Sequence, residues 1–310
     1  MTIESLEVLD KVHLNFNQGG LLFMNITLAF IMFGVALEID LSNFKNILLK
    51  PKSALVGVLS QFFLLPFVTF LLVLVIKPTP AVALGMILVA ACPGGNISNF
   101  ISSMAKANIA LSVSLTAIAT LLAIFMTPLN FAFWGGMYIK SHPLLRPIEI
   151  DPLQMLQTVF IILGIPLILG MLFAKYFKKL TLKIKKPIKI LSIVIFAGYV
   201  VAALSSNFSY FLRYIHLIAL IVLAHNALAL LTGFTISSVF KLPRRDRRTI
   251  SIETGIQNSG LGLVLIFNPK LFPADLELGG MAFIAAWWGI WHILAGLGIA
   301  TLWSKKTIEE

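Results

Sequence analysis

The chain alternates between long apolar segments and short polar connections. An α-helix needs roughly 20 apolar residues to cross a bilayer, and about nine segments approach that length. They cover residues 20–38, 54–76, 81–105, 108–134, 153–174, 188–206, 211–239, 249–268 and 279–303. The pattern predicts an all-α polytopic membrane protein. Residues 1–19 form an amphipathic extracytoplasmic lead-in, and residues 304–310 form a cytoplasmic tail.

Composition supports the membrane class. Of the 310 residues, 58% are apolar and only 12% are charged, whereas soluble domains carry about 25% charged residues. The mean hydropathy is +0.95. The single cysteine, Cys92, excludes an internal disulfide and a cysteine-based metal cluster.

The positive charges are distributed unevenly among the connections. Most of the 24 lysines and arginines follow the first, third, fifth, seventh and ninth segments. The positive-inside rule then puts the N-terminus outside and the C-terminus in the cytoplasm. The net charge of +11 is explained by this topology and by contact with anionic membrane lipid, so no nucleic acid partner is expected. The arginine-rich stretch 244–248 is interpreted as a solvated loop.

Two of the predicted spans contain breaks. The third holds Cys92-Pro93-Gly94-Gly95-Asn96, and the eighth holds Thr254-Gly255 and Asn258-Ser259-Gly260. Proline removes a backbone donor and glycine loosens a helix, so the chain should unwind there. An offset of five spans reverses the direction, which indicates an inverted-repeat secondary transporter. Residues 20–134 would form the first repeat, and residues 153–303 the fifth span plus the second repeat.

Glu253 is the acidic residue that falls inside a span rather than in a loop, a tail or a span end. A charge there costs roughly 2.5–3.5 kcal/mol on insertion scales and is by default a functional hypothesis. Gln257 lies one helical turn further on, and Gln61 is in the second span. Such oxygen ligands suit a hard cation and not a transition metal. The sequence therefore predicts a sodium site near Glu253.

Plainer interpretations stay open for each of these residues. Glu253 could be a structural carboxylate that pairs across helices. Ser112 and Thr116, spaced one turn apart in the fourth span, could be hydroxyls that bond back to helix carbonyls. His225 and His292 are interpreted as interior histidines rather than metal ligands.

The sequence resembles the bile acid:sodium symporter family, and its bacterial members in particular. The matching pieces are Ile31-Met32-Phe33-Gly34, Gln61 with Pro66, residues 92–99, Leu111-Ser112 with Thr116, His225-Asn226, residues 253–260 and Trp291-His292. By this resemblance, a first sodium ion is held by Ser98, Asn99, Ser112, Thr116 and Glu253, and a second by Gln61, Glu253 and Gln257. The substrate would face Asn96, Ile97, Asn258 and Ser259.

The resemblance also implies an architecture and an activity. Spans two to four and seven to nine would form a core, with the two discontinuous helices crossing inside it, and spans one, five and six would form a panel. Family members with ten spans have an additional first helix, which has no counterpart in this count. The expected activity is import of an amphipathic organic monoanion with sodium, by alternating access in the inner membrane. A monomer would suffice, and the oligomeric state stays open.

Two other functions are considered. A proton-coupled carrier could use Glu253 alone, although its hydroxyl and amide neighbours favour sodium. A membrane-embedded enzyme would need signatures that the chain lacks, such as His-Glu-x-x-His or Gly-x-Ser-x-Gly. The substrate is either bile acid-like or a small carboxylate such as pantoate or a 2-oxo acid. No arginine or lysine is expected mid-span, so helix ends and amides would hold its carboxylate.

Overall fold

A computed structural model of the chain describes residues 3–12, 18–37, 39, 51–141, 151–206, 208–272 and 276–305. Within these ranges the regular secondary structure is helical, and a single isolated bridge joins two extended segments. The helices are α1 (Ile3–Asp10), α2 (Gln18–Ala36), α3 (Pro51–Ile76), α4 (Pro80–Ala91), α5 (Ile97–Met104), α6 (Ile109–Lys140), α7 (Pro152–Tyr176), α8 (Lys178–Ser206), α9 (Phe208–Val239), α10 (Arg244–Gly255), α11 (Ser259–Ile266) and α12 (Gly279–Ser304).

Five helices are long and apolar enough to cross a membrane, judged by length and composition: α3, α6, α7, the stretch Leu212–Val239 of α9, and α12. The segment Asn25–Ala36 and α4 are shorter apolar helices. Large apolar side chains stay exposed on the outside, among them Val75 at 79% and Leu220 at 68%. A surface of this kind suits lipid better than water. The all-α prediction is confirmed, and the helices are consistent with a polytopic membrane protein.

Two connections differ from the sequence prediction. α8 begins at Lys178 rather than near residue 188, so the lysine-rich stretch is helical. α10 begins at Arg244, and the interpretation of residues 244–248 as a solvated loop was wrong. Asp246 and Arg248 are buried there because this first turn packs beneath the connection between α5 and α6. Arg248 Nη1 donates to the Ala105 carbonyl at 2.8 Å.

Both predicted breaks are present, and they lie side by side. α4 ends at Ala91 before α5 begins at Ile97, and α10 ends at Gly255 before α11 begins at Ser259. The unwound segments run antiparallel, with a bridge between Gly94 and Gln257. Gly95 N–H donates to Ile256 O and Asn258 N–H donates to Pro93 O, each at 2.7 Å. Each break thus supplies hydrogen-bond partners to the other, which buried backbone requires.

Close backbone contacts surround the crossing. Every residue of α4 from Ala81 to Ala91 is buried. A Cβ on Gly85 would lie 2.8 Å from Met281 Cα, so the backbones of α4 and α12 almost touch. A second group of helices, α2, α7 and α8, packs together elsewhere, with Phe33 and Phe173 rings 5.8 Å apart. The site described below lies at the crossing of the two breaks and not within this second group.

α3 is distorted near its middle by a π-helical turn, Ser60–Leu64. Pro66 follows directly and removes one backbone donor from the next turn. Asn130 of α6 donates its Nδ2 to the Phe62 carbonyl at 3.0 Å and so satisfies an acceptor of this turn. π-turns of this kind are frequent at functional sites. This one contains Gln61, which is buried.

Candidate functional site

The carboxylate of Glu253 lies at the end of α10, next to the second break, and is 2% exposed. Its Oε1 accepts hydrogen bonds from Ser98 Oγ at 2.7 Å and from Ser112 Oγ at 2.5 Å. Thr116 Oγ1 lies 3.3 Å from Oε1 and 3.2 Å from Oε2. Three hydroxyls from α5 and α6 therefore converge on one carboxylate from α10.

Asn99 completes the group predicted around Glu253. Its Oδ1 lies 3.4 Å from Thr116 Oγ1, and the same hydroxyl is 3.0 Å from the Ser112 carbonyl. Ser98 and Asn99 are in the first turn of α5, directly after the first break. The structure thus brings together all the residues of the first predicted sodium site. They offer carboxylate, hydroxyl, amide and carbonyl oxygens, the ligand types that hard cations prefer.

Two members of the second predicted group, Gln61 and Glu253, lie beside the bare α-carbon of Gly94, and the third, Gln257, pairs with Gly94 through a backbone bridge. A Cβ placed on Gly94 would lie 2.8 Å from Gln61 Nε2 and 3.2 Å from Glu253 Oε2. Gln61 Nε2 has no hydrogen-bond partner among the residues that the structure describes. The oxygen and nitrogen of a side-chain amide are assigned from the surrounding bonds. A half-turn of the Gln61 amide would therefore bring its oxygen to this point.

Gln257 is fully buried at the second break. Its Nε2 donates to the Thr254 carbonyl at 2.8 Å, while its Oε1 has no hydrogen-bond partner in the described part of the chain. A buried acceptor without a donor is uncommon in folded proteins and calls for an explanation, such as an ion. This orphaned oxygen fits a cation. None of the hydrogen-bond partners of Glu253 in the described part of the chain carries a positive charge.

The residues expected to face the substrate lie at the starts of the two half-helices. Asn96 precedes α5, and Asn258 precedes α11, where its Oδ1 accepts from Leu261 N–H at 3.1 Å. Both are partly exposed. Ile97 packs into an apolar cluster with Ile256 and its neighbours. Ser259 is buried against α12, since a Cβ on Gly289 would lie 2.7 Å from its Oγ.

Comparison with known proteins identifies the family. Residues 25–214 match the sequence model of the Sodium Bile acid symporter family, which is more than half of the chain. The chain belongs to that family.

Several relatives resemble nearly the whole chain. The Bacillus subtilis (strain 168) protein named uncharacterized sodium-dependent transporter YocS is 34% identical over 291 residues, 93% of this chain and 85% of the relative. The Arabidopsis thaliana protein named probable sodium/metabolite cotransporter BASS1, chloroplastic, is 32% identical over 291 residues, 92% of this chain and 67% of the relative. The mouse sodium/bile acid cotransporter 4 is 27% identical over 258 residues, 82% of this chain and 58% of the relative.

Membership of the Sodium Bile acid symporter family settles the broad class. These relatives are named as transporters or cotransporters. The chain is therefore a multi-pass membrane transporter of a sodium-dependent family, and it is not an enzyme. The interpretation as a membrane-embedded enzyme is set aside.

Two histidines of this family member, His225 and His292, are buried. His225 has its Nε2 2.8 Å from Thr69 Oγ1 and its ring 4.6 Å from the Trp288 ring. Both are interior, as predicted, although Nδ1 of each has no hydrogen-bond partner among the described residues. Among the residues that the structure describes, no group of three or more His, Cys, Asp or Glu could hold a metal ion.

A second buried carboxylate was missed in the sequence. Asp246, in the first turn of α10, accepts from Ser53 Oγ at 2.6 Å and from Asn108 Nδ2 at 2.8 Å. Its position among four arginines suggested a solvated surface. Asn108 itself carries a usable signal, because asparagine directly before an apolar run is typical of a helix N-cap. Its Oδ1 indeed accepts from Leu111 N–H at 3.1 Å.

Proposed function

We propose that this transporter is a symporter that couples the import of an organic monoanion to sodium. The observation that carries the proposal is the set of oxygens around Glu253, where the two breaks meet. A carboxylate, three hydroxyls and an amide oxygen come from three helices and converge on one buried point. The hydroxyls there would turn their hydrogens away and present lone pairs to a monovalent cation, which would balance the buried charge.

Two sodium ions would share Glu253. The first would lie among Ser98, Asn99, Ser112, Thr116 and Glu253. The second would lie near Gly94, between Gln61, Glu253 and Gln257. The Oε1 of Gln257 supports the second site because it is a buried acceptor with no described donor, and a cation would bind it.

The substrate would bind where the two half-helices begin. The first turns of α5 and α11 each carry a partial positive charge from the helix dipole, and the amides of Asn96 and Asn258 lie beside them. Ile97 and Ser259 are the other proposed contacts. A helix terminus and neutral amides suit a single carboxylate. Two of the relatives are named for a metabolite and for bile acid, and we propose either a bile acid-like anion or a small carboxylate such as pantoate or a 2-oxo acid.

The proposed architecture has about nine spans in two inverted repeats, residues 20–134 and 153–303. Spans two to four and seven to nine would form the core, and spans one, five and six the panel. The protein would lie in the inner membrane of the cell, with its N-terminus outside and its C-terminus in the cytoplasm. Rocking of the panel against the core would expose the crossing to each side in turn. Two sodium ions with a monoanion carry one net positive charge inward, which gains about 2.3 kcal/mol per 100 mV.

Proton coupling through Glu253 is the closest alternative. A proton needs one acceptor oxygen, whereas a sodium ion needs several. The convergence of Ser98, Ser112 and Thr116 on the carboxylate therefore favours sodium.

A thermal-shift titration tests the proposal. The purified protein is titrated with sodium chloride and, in parallel, with potassium chloride at equal ionic strength. Sodium alone should raise the melting temperature of the wild type, and Glu253→Ala should abolish that rise because the shared ligand is lost. Glu277→Ala, which removes an exposed carboxylate, serves as the control and should respond like the wild type.

Two results would contradict the proposal. An unchanged sodium response in Glu253→Ala would remove Glu253 from the site. A pH response that is lost in Glu253→Ala, with no response to sodium, would support proton coupling instead. Sodium-driven uptake of candidate monoanions into vesicles then identifies the substrate.

A further inference from the structure

Asn108 and Thr249 join α6 to α10 through a reciprocal pair of hydrogen bonds. Asn108 N–H donates to Thr249 Oγ1 at 2.9 Å, and Thr249 Oγ1 donates to the Asn108 carbonyl at 3.0 Å. Thr249 is fully buried. A single hydroxyl therefore fixes both backbone groups of Asn108, the N-cap residue directly before α6. Neither side chain is among the described hydrogen-bond partners of the Glu253 carboxylate.

This pair lies one helical turn before the contact between Ser112 and Glu253. Ser112 follows Asn108 by four residues on α6, and Glu253 follows Thr249 by four residues on α10. Residues four apart lie on the same helix face, one above the other. The two contacts, Asn108–Thr249 and Ser112–Glu253, thus join the same two helices one turn apart. The Asn108–Thr249 contact restrains sliding and rotation of α10 against α6.

Asp246 and Ser53 support the contact between Asn108 and Thr249. Asp246 Oδ1 accepts from Asn108 Nδ2 at 2.8 Å, and its Oδ2 accepts from Ser53 Oγ at 2.6 Å. Ser53 belongs to α3, which also carries Gln61 two turns further on. One polar cluster therefore connects the three helices that supply Gln61, Ser112 and Glu253. We call Ser53, Asn108, Asp246 and Thr249 the register cluster.

We propose that Asn108 and Thr249 are positioning residues for the sodium site. The inference depends on the proposed function, since it concerns the same site. An ion site works only when its ligands stay within about 0.5 Å of the productive geometry, which surrounding residues must maintain. The register cluster fixes Ser112 relative to Glu253 without contributing an oxygen to the ion.

Thr249→Val tests the proposal because it removes the hydroxyl with little change in volume. Loss of the two hydrogen bonds should raise the sodium concentration for half-maximal binding about tenfold, because Ser112 and Glu253 are then no longer held in register. The substrate KM at saturating sodium should stay near the wild-type value. Thr249→Ser, which keeps the hydroxyl, should restore the sodium affinity. If Thr249→Val is not recovered folded, the smaller Thr249→Ala carries the same expectation.

Ser251→Ala is the matched control. Ser251 is buried on the same helix, but its Oγ donates to the Leu230 carbonyl of α9 at 2.7 Å. Loss of this hydrogen bond should lower the melting temperature. It should leave sodium affinity unchanged, because the bond joins α10 to α9 and not to α6.

Three outcomes would overturn the proposal. The first is a Thr249→Val protein with lower thermal stability but wild-type sodium affinity, which means a structural role alone. The second is an equal loss of affinity in Ser251→Ala. The third is a Thr249→Ser protein that is not restored. A wild-type protein that binds no sodium would overturn the proposed function as well. The wild type is measured first, so this failure is distinguished from a failure of the positioning role alone.

Discussion

Two buried carboxylates on α10 have contrasting surroundings. Asp246 is in the first turn and Glu253 is near the end of the helix, and both are nearly inaccessible. Each Asp246 oxygen accepts one described hydrogen bond, from Asn108 and from Ser53. Glu253 instead gathers three hydroxyls, and the amide oxygens of Asn99 and Gln257 lie within the two predicted ion sites beside it.

The difference lies in the balance of donors and acceptors. Around Asp246 each carboxylate oxygen has a described donor, and no acceptor of that side chain is left without a partner among the described residues. Around Glu253 oxygen atoms are in excess, and the hydroxyls can turn their hydrogens away to present lone pairs. Burial alone therefore does not distinguish an ion site from a structural carboxylate. An excess of acceptors does.

The largest expected contrast comes from replacing each carboxylate by its amide. Glu253→Gln should weaken sodium binding more than about 100-fold, because it removes the only charge in the site and a charged hydrogen bond contributes up to about 3 kcal/mol. Asp246→Asn should change sodium affinity less than about threefold, because the Ser53 hydroxyl can rotate and accept from the new amide. Sodium-dependent thermal shift measures both. Similar losses in the two variants would erase the distinction between the two carboxylates.

A smaller effect is expected from filling the space beside Glu253. Gly94→Ala would put a methyl group 2.8 Å from Gln61 Nε2 and 3.2 Å from Glu253 Oε2. We expect sodium affinity to fall about tenfold, since crowding of this kind costs about 1–3 kcal/mol. Gly136→Ala on α6 is the control, because a Cβ there would have no described neighbour within 4 Å apart from the backbone of its own helix turn. Sodium titration of both variants measures the two affinities. Equal affinities would show that sodium binding does not need the space beside Gly94.

The smallest effect on sodium binding is expected at a third carboxylate, Asp10 of α1, outside the spans. Burial raises its pKa to about 7, Glu277 and Glu7 add to the rise, and hydrogen bonds from Thr79 and Ala81 oppose it. Because this pKa lies above the ordinary 3.8, the folded state binds the proton more tightly than the unfolded state. Stability should therefore fall as pH rises from about 4 to about 7 and change little above that.

Asp10→Asn should flatten this dependence, and melting temperatures measured against pH without sodium will reveal it. Tyr138 is a further titratable group near Asp10. A slope that persists in Asp10→Asn would assign the dependence to another group. A slope that persists in Glu253→Ala but disappears in Asp10→Asn would show that a pH response need not mean proton coupling.

Much of the candidate site could be predicted from the sequence because its signals are local. Proline with two glycines marks the first break, and a lone carboxylate in an apolar segment marks Glu253. The partners of Glu253 were supplied by family resemblance, and the structure brings them together. What those residues bind stays a prediction.

The register cluster could not be predicted because its signals are not local. Asp246 looks solvated when its neighbours are arginines, and only the packing of α10 beneath the α5–α6 connection buries it. The start of α8 was missed for a related reason. Lysines suggested a connection, yet lysine is a good helix former and no helix breaker occurs between Lys178 and Pro187.

The antiparallel pairing of the two breaks restricts how the sequence can change over evolutionary time. Gly95 bonds to Ile256 and Asn258 bonds to Pro93, across chain segments far apart in sequence. Side chains on paired extended segments alternate in direction, so a slip of one residue turns each of them to the opposite face. An insertion or deletion in one break would therefore misplace residues that the other break depends on. The two breaks can change length only together, although nothing in the linear order of the chain connects them.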